Sequence, residues 1–544
     1  MHVYAGQILD VEKGRVYPGR FSVQDGRIEE IVEDHSAPTD VLYTPGLVDS
    51  HIHVESSLLP PSEFARAASI HGTVATVSDP HEIANVCGIE GVDWMIRSAK
   101  NSPLKIMFGA PSCVPATPFE TAGATFTPED VGALLSRKDV GYLSEVMNFP
   151  GVIGDDPRML AIIKEAKKRN MRVDGHAPGV IGGDLVKYAA AGVETDHECV
   201  TLEEARERVA CGMKVAIREG SAARNFDALW PLLHEAPDSC FFCSDDRHPD
   251  DLVVSHIDAM IRRAIANGVD PIAVMRASTL NPVRFYSLDS GLLQKGDPAD
   301  FIEVESFEDF RVRRTWINGN LVAEKGKTLL ETNSIPPINQ FAATPLSEKD
   351  LRLPAKDAAS ISVIVAKDGQ LVTGSESVMP TTSDGLVVSD PSRDLLKIVV
   401  VNRYQNSPPT IGLIRNFGLQ TSAIAGSVAH DSHNIVAVGA NDGALLSAIN
   451  SVIQCQGGLS FVSGNAVKVH PLPIAGLMGE TDVWEAARSF LELTTLAKAD
   501  GCLLRSPFMT LSFMSLLVIP TLKIGDRGYF DVDSFSLIDP WTHS

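Results

Sequence analysis

The chain contains the stretch Thr44-Pro45-Gly46-Leu47-Val48-Asp49-Ser50-His51-Ile52-His53, which predicts a buried strand that ends in two histidines. Because side chains alternate along a strand, His51 and His53 point to one side while Ile52 faces the other. Two imidazoles side by side can bind one metal ion, but two polar residues closing a strand give the same pattern. The choice therefore depends on whether later strands end in further ligands.

Length and composition define the class of protein. At 544 residues the chain is long enough for two or three domains, and 44 % hydrophobic with 21 % charged residues is typical of soluble globular proteins. The net charge of −22 repels phosphate backbones, so we expect no nucleic-acid partner. No apolar run predicts a membrane span, the first residues do not resemble a signal peptide, and the eight cysteines show no disulfide spacing. These features predict a cytoplasmic protein without a membrane partner.

The pattern of strands and helices predicts an α/β fold built on a (β/α)8 barrel of the TIM type. From residue 44 to 286, short apolar runs such as Val74–Val77 alternate with helical stretches such as Pro157–Asn170. Residues 1–43 and 287–332 predict a small β-subdomain, with Asn318-Gly319 as a hairpin turn. Residues 333–358 predict a linker, and 359–544 a C-terminal α+β domain.

Metal-capable side chains recur where successive barrel strands end. Catalytic groups of such barrels lie at the carboxyl ends of the strands, so side chains there should converge. Four imidazoles and two carboxylates are enough for two divalent ions, with Glu145 placed to bridge them. Such donors suit manganese, iron or zinc alike, and the donor set does not choose among these metals. The six candidate ligands are His51, His53, Glu145, His176, His197 and Asp245.

Several longer phrases resemble the bacterial adenine deaminase family of the amidohydrolase superfamily, and the resemblance covers nearly the whole chain. It implies hydrolysis of adenine to hypoxanthine and ammonia in purine salvage and a homodimer or higher homo-oligomer. It also implies two divalent metal ions, for which we expect Mn²⁺, with Fe²⁺ or Zn²⁺ as alternatives. The matching phrases are residues 45–53, 78–86 (SDPHEIANV), 111–120 (PSCVPATPFE), 175–179 (GHAPG), 218–225 (REGSAARN), 244–252 (SDDRHPDDL) and 429–434 (AHDSHN).

The resemblance also suggests roles for the acidic residues. A hydroxide shared by two metal ions is nucleophilic at neutral pH and would attack C6 of the purine. We expect Asp245 to take its proton as general base and pass it to the departing amine as general acid. Glu82 is our candidate for the group that protonates a ring nitrogen, although it could equally orient its loop or a ligand. His81 is divided in the same way between contact with the substrate and a structural role.

Other candidates are less specific. Arg218 and Glu219 follow the seventh predicted strand and could contact the purine or form a local ion pair. Asp250 and Asp251 fit a helix start. The cluster at His430, Asp431 and His433 could close the barrel mouth, bind a further ion, or form a turn network.

Three other functions share features with this sequence. Zinc deaminases of the cytidine type combine His-x-Glu with Pro-Cys-x-x-Cys, but Ser239 stands where that proline would precede Cys240-Phe241-Phe242-Cys243. A superfamily relative that opens another cyclic amide or amidine usually has a carboxylated lysine where Glu145 stands. A non-catalytic assembly protein would be expected to lack ligands, and here all six are present. Adenine deamination is the reading we favour.

Overall fold

The computed structural model describes residues 1–356 and 359–543, and the chain begins in an antiparallel sheet. Strand β1 pairs with β2, and β2 with β3, while β4 runs parallel to β1. The turn between β2 and β3 is made by Asp25 and Gly26, both with positive φ, which suits a tight hairpin. The four strands are β1 (His2–Asp10), β2 (Arg15–Gln24), β3 (Arg27–Glu33) and β4 (Leu42–Pro45).

Eight parallel strands form the predicted (β/α)8 barrel. Strands β5 to β9 pair in sequence order, as do β10 to β12, and the backbone N–H of Glu194 donates to Val173 O across the first seam. The barrel closes where the N–H of Asp245 donates to His51 O at 2.9 Å. The strands are β5 (Leu47–Ile52), β6 (Thr73–Ser78), β7 (Lys105–Ala110), β8 (Val140–Val146), β9 (Val173–Gly175), β10 (Thr195–Asp196), β11 (Lys214–Arg218) and β12 (Cys240–Cys243).

Helices connect the barrel strands and cover their outer face. The helix predicted over Pro157–Asn170 is α5, which ends earlier, and Asn170 adopts φ 53°, a conformation that terminates helices. The helices are α1 (Pro61–Ile70), α2 (His81–Ala99), α3 (Pro128–Leu134), α4 (Phe149–Ile153), α5 (Pro157–Lys167), α6 (Gly182–Ala191), α7 (Leu202–Ala210), α8 (Phe226–Leu229), α9 (Leu232–Glu235), α10 (Pro249–Leu252), α11 (Ile257–Ala266), α12 (Pro271–Ser278) and α13 (Leu280–Tyr286).

The strands after the barrel return to the N-terminal sheet. The order of this eight-stranded sheet is β16-β15-β14-β13-β4-β1-β2-β3. Asn318 and Gly319, with φ of 47° and 74°, form the expected turn between β14 and β15. The sheet thus unites strands from both predicted β segments, although the exact domain boundaries stay a prediction. Its later strands are β13 (Phe301–Val304), β14 (Val312–Ile317), β15 (Asn320–Glu324) and β16 (Lys327–Thr328).

An extended segment then runs between the barrel and the C-terminal domain. It is held from the barrel side by Trp94, whose Nε1 donates to Pro336 O, and from the other side by Ala475, whose N–H donates to Ile338 O. The predicted linker therefore packs against both the barrel and the C-terminal domain. A short 3-10 helix, Glu348–Leu351, follows in the same segment, and the last two residues of the predicted linker, 357–358, lie outside the described residues.

The C-terminal domain is α+β, as predicted. Its central sheet has the order β19-β18-β23-β22-β25-β24-β26-β27, with β31 on β18. The strands are β17 (Leu353–Pro354), β18 (Ala359–Val365), β19 (Gly374–Val378), β20 (Thr382–Ser383), β21 (Leu386–Val387), β22 (Leu396–Val401), β23 (Thr410–Arg415), β24 (Ala423–Gly426), β25 (Ile435–Gly439), β26 (Gly458–Ser463), β27 (Ala466–Pro471), β28 (Leu522–Gly525), β29 (Gly528–Asp531), β30 (Ser536–Ile538) and β31 (Trp541–His543). The helices are α14 (Asp442–Gln454), α15 (Val483–Ala499) and α16 (Pro507–Ser512).

The two large units pack closely on each other. The ring of His248 lies 4.4 Å from that of Phe490, and the N–H of Gly479 donates to Leu58 O. One hydrophobic cluster runs from the barrel into the C-terminal domain. The mouth of the barrel is therefore covered by the second domain. Among the described helices, none has the length and apolar character needed to cross a bilayer.

Candidate metal centre and active site

The two histidines of the opening strand point to one side, as alternation predicts. His51 lies in β5 and His53 just beyond it, and their Nε2 atoms are 3.3 Å apart. Asp245, two residues after β12, brings Oδ1 to within 3.5 Å of His51 Nε2 and 3.2 Å of His53 Nε2. These three side chains form one group of potential ligands.

Glu145 lies between that group and a second one. It belongs to β8 itself, and Oε1 is 3.2 Å from His53 Nε2. Its other oxygen, Oε2, lies 2.9 Å from His176 Nδ1 and 3.4 Å from His197 Nε2. His176 and His197 follow β9 and β10 directly. One carboxylate thus reaches both groups, which is the geometry of a bridging ligand.

The chemistry of these donors fits divalent metal ions. His176 Nδ1 and Glu145 Oε2 lie 2.9 Å apart but not in hydrogen-bonding geometry, and neither these two atoms nor His176 Nε2 has a hydrogen-bond partner among the described residues. Such buried polar atoms cost free energy unless something else satisfies them. Imidazole nitrogens that face one another, as in His51 and His53, are likewise suited to a shared cation. Several sets of three or four such atoms lie within 4.8 Å of one another. The site therefore has the donors that two ions would need.

Asp245 has an unusual backbone conformation, and its side chain is paired with charged neighbours. Its φ is 52°, a conformation that non-glycine residues rarely adopt and that recurs at functional sites. Arg218 Nη1 donates to Asp245 Oδ2 at 2.7 Å and also pairs with Glu198. Burial alone would raise the pKa of Asp245, yet Arg218, His51 and His53 hold it well below its ordinary value. The carboxylate is therefore ionised.

Two acidic residues at the site were not among the sequence candidates. Glu198 lies 3.4 Å from both His176 Nδ1 and His197 Nε2, and Asp79 binds His81 Nδ1 at 3.0 Å. Asp79 follows β6, and Glu198 stands next to His197. The rule used for the ligands, an acid or histidine just after a barrel strand, could have found both.

Glu82 is held by two histidines of the C-terminal domain. His430 Nδ1 lies 2.6 Å from Glu82 Oε1, and His433 Nε2 contacts Oε2. Since an ionised carboxylate only accepts, both imidazoles donate. Burial would raise the pKa of Glu82, but His430, His433 and His81 hold it well below its ordinary value. Of the three roles left open for the 430–434 cluster, this contact shows a direct part in the barrel mouth.

The remaining wall of the cavity is also made by the C-terminal domain. Asp431 and the apolar side chains Leu371, Phe513 and Leu516 line the same cavity as Glu82, Glu145 and Asp245. Nothing local in the sequence marks Leu371 or Phe513, because they reach the site only through the packing of the two domains.

The remaining residues discussed from the sequence do not all lie at the cavity. Glu219 does not line the cavity, and its Oε2 lies 2.8 Å from Arg263 Nη1. Arg218 does line the cavity, where it pairs with Glu198 and Asp245. Among the described residues, the local ion pair considered for Arg218 and Glu219 is therefore not formed. Asp250 and Asp251 lie in the first turn of α10. Cys240 and Cys243 are buried in β12.

Comparison with known proteins shows which families share this architecture. The model of the amidohydrolase family matches residues 42–322, which contain the barrel and all six candidate ligands. The fold and site thus define a metal-dependent hydrolase of the amidohydrolase class. The model of the adenine deaminase C-terminal domain matches residues 370–536.

Curated relatives match along the full chain. The adenine deaminase of Salinibacter ruber is 53 % identical over 98 % of both chains. That of Sulfurovum sp. is 49 % identical over 98 % of both, and that of Methanosarcina barkeri 48 % identical over 99 % of both. The chain belongs to the adenine deaminase family.

Proposed function

We propose that this protein hydrolyses adenine to hypoxanthine and ammonia. The observation that carries the proposal is the position of Glu145 between two groups of ligands, at the base of a cavity closed by an adenine-deaminase-type domain. The neutral adenine ring would lie in this cavity with its C6 atom toward the candidate metal-binding side chains. Water supplies the oxygen that replaces the amino group, and the amine leaves as ammonia.

The proposal includes two divalent metal ions, with Mn²⁺ expected and Fe²⁺ or Zn²⁺ as alternatives. His51, His53 and Asp245 would hold one ion, His176 and His197 the other, and Glu145 both. When bound, such ions lower the pKa of the water they hold and so supply a nucleophile at neutral pH.

Asp245 is the proposed general base and then acid. Its ionised Oδ1 faces the histidine pair, while Arg218 binds Oδ2 and so fixes the direction of the carboxylate. Oδ1 can accept the proton of the attacking water and deliver it to the amino nitrogen as the C6–N bond breaks.

Glu82 is the proposed donor to a ring nitrogen. Burial would lower the pKa of His430, but Glu82 and Asp246 raise it to about 9, so the Glu82–His430 pair carries a proton at neutral pH. Transfer from His430 Nδ1 to Glu82 Oε1 places that proton on an atom lining the cavity, from which the base can take it. His81, whose Nε2 lies 3.4 Å from Glu82 Oε1, is a proposed contact of the base. Arg218 acts through Asp245, and the proposal assigns Glu219 no contact with the base.

The experiment measures substrate and metal together. Metal-replete protein is incubated with adenine, and purine absorbance and ammonia are followed. We expect conversion to hypoxanthine, and at least a thousandfold lower kcat for Asp245→Asn, because the proton carrier is lost. A hydantoin and a dihydropyrimidine serve as control substrates. Intact adenine together with opening of either ring, with two metal ions bound, would contradict the proposal and favour a cyclic amidohydrolase.

Two further parts of the proposal have separate readouts. Reconstitution of metal-free protein with Mn²⁺, Fe²⁺ or Zn²⁺ should give two equivalents per chain and the highest kcat with Mn²⁺. Sedimentation should show a homodimer or larger homo-oligomer, and a monomer would contradict that part alone.

A further inference from the structure

The C-terminal domain places in the cavity one carboxylate with an unsatisfied oxygen. Asp431 is 3 % exposed, and its Oδ2 accepts no hydrogen bond from the described residues. Its Oδ1 has His81 Nε2 at 3.8 Å and His430 Nδ1 at 4.0 Å. Because a buried acceptor without a donor costs free energy, an N–H group of a ligand would be stabilised at Oδ2.

Asp431 belongs to a wall with a continuous apolar part. Leu371, Phe513 and Leu516 line the cavity beside it, and the ring of Phe513 stacks on His430 at 4.5 Å and 10°. Lys523 holds two segments of this wall together, since its Nζ donates to Leu371 O at 2.8 Å and to Phe513 O at 3.0 Å. A wall that combines apolar side chains with one carboxylate suits a ligand that has apolar ring faces and an N–H group.

We propose that the C-terminal domain forms the base-recognition wall, and that Asp431 accepts a hydrogen bond from an N–H of adenine through Oδ2. This inference rests on the proposed function. A third metal ion on His81, Glu82 and Asp431 is the competing use of the same atoms. It is disfavoured because both oxygens of Glu82 are already bound by His430 and His433, and His81 Nδ1 by Asp79.

The test is the substitution Asp431→Asn, which keeps the shape and removes the charge. Loss of a hydrogen bond to a charged acceptor should raise KM for adenine between about tenfold and about a hundredfold, with kcat changed much less. The matched control is Asp384→Asn, an exposed turn position of the same domain with φ 52°, which asparagine tolerates. Its kinetics should equal those of the wild type.

Isosteric analogues identify the donor. The base 7-deazaadenine keeps the N–H at position 9, whereas 9-deazaadenine has it at position 7. If Asp431→Asn weakens the binding of only one analogue, the donor is the ring N–H that this analogue carries. If the substitution weakens the binding of both analogues, the donor is the exocyclic amino group. Either result supports the inference.

Metal content and unfolding temperature accompany the kinetics. The wild type should hold two ions, and so should Asp431→Asn. A folded, metal-replete variant with the wild-type KM overturns the inference, and so does a third ion that the variant loses. Should the variant not fold, Asp431→Ser replaces it under the same criteria. A wild type that leaves adenine intact refutes the proposed function instead.

Discussion

The charged side chains of the site act in pairs that cross from one element to another. Arg218 of β11 orients Asp245 beyond β12, and two histidines of the C-terminal domain orient Glu82 at the start of α2. Buried charges are stable only when they are paired. Each of the two carboxylates with a proposed catalytic role is therefore positioned by a residue distant in sequence.

The role of Glu82 can be separated from metal binding. We expect Glu82→Gln to lower kcat by between about a hundredfold and ten-thousandfold, because the amide cannot pass on the proton of His430. Metal content should stay at two ions, since Glu82 is not among the proposed ligands. Steady-state kinetics and metal analysis make the comparison.

The matched control is Glu55→Gln. Glu55 is also buried, close to Glu82, and its Oε1 accepts the N–H of Ile83, but it does not line the cavity. Burial raises its pKa to about 7, so an uncharged side chain is tolerated there. Full activity of Glu82→Gln would contradict the proposed donor role.

At the scale of elements, β28 supports the cavity wall through one buried amine. Burial lowers the pKa of Lys523 to about 7, whereas an unfolded lysine has a pKa of about 10.4. Between these values the unfolded chain binds more protons than the folded one. The free energy of unfolding should therefore rise with pH in this window, by up to about 1.4 kcal/mol per pH unit, and be unaffected below pH 7.

Replacing the amine tests this linkage. In Lys523→Met, we expect the pH-dependent part of the unfolding free energy that comes from Lys523 to disappear. The unfolding free energy of the wild type minus that of the variant should therefore increase from pH 7 to pH 9. Equilibrium urea unfolding at several pH values measures it. The control is Lys468→Met, whose side chain is largely exposed and pairs with Glu492. Parallel pH profiles for the wild type and Lys523→Met would show that Lys523 is charged in the folded protein.

At the scale of the whole molecule, the proposed metal centre would stabilise the assembly of strands. The six ligands come from five different barrel strands or the residues just after them, and ions that bind only the folded chain add free energy of unfolding. At a free-ion concentration 100 times Kd, this amounts to about 2.7 kcal/mol.

Chelation should therefore lower the unfolding temperature and abolish deamination together. We expect both to return on addition of Mn²⁺, and calorimetry with a parallel assay would show it. Because one hydrophobic cluster joins the barrel to the C-terminal domain, we also expect a single unfolding transition. An unfolding temperature that does not respond to chelator would contradict a metal centre built from these residues.

The sequence by itself determined the barrel and the set of candidate ligands. Strand periodicity places His51 and His53 on one side, and parallel strands bring their carboxyl ends to one rim, so local patterns were enough to predict that the six side chains meet. The same rule, that polar residues just after a barrel strand lie at the site, also predicts Asp79 and Glu198.

Only the tertiary structure decided how the site is closed. His430 and His433 bind a carboxylate that lies 348 and 351 residues earlier in the chain. Leu371, Asp431 and Phe513 meet the barrel mouth from three separate segments. No periodicity within one segment encodes such contacts, because they arise from the packing of one domain on another. The opening His-x-His predicted where the chemistry lies, and the docking of the C-terminal domain decided what surrounds the substrate.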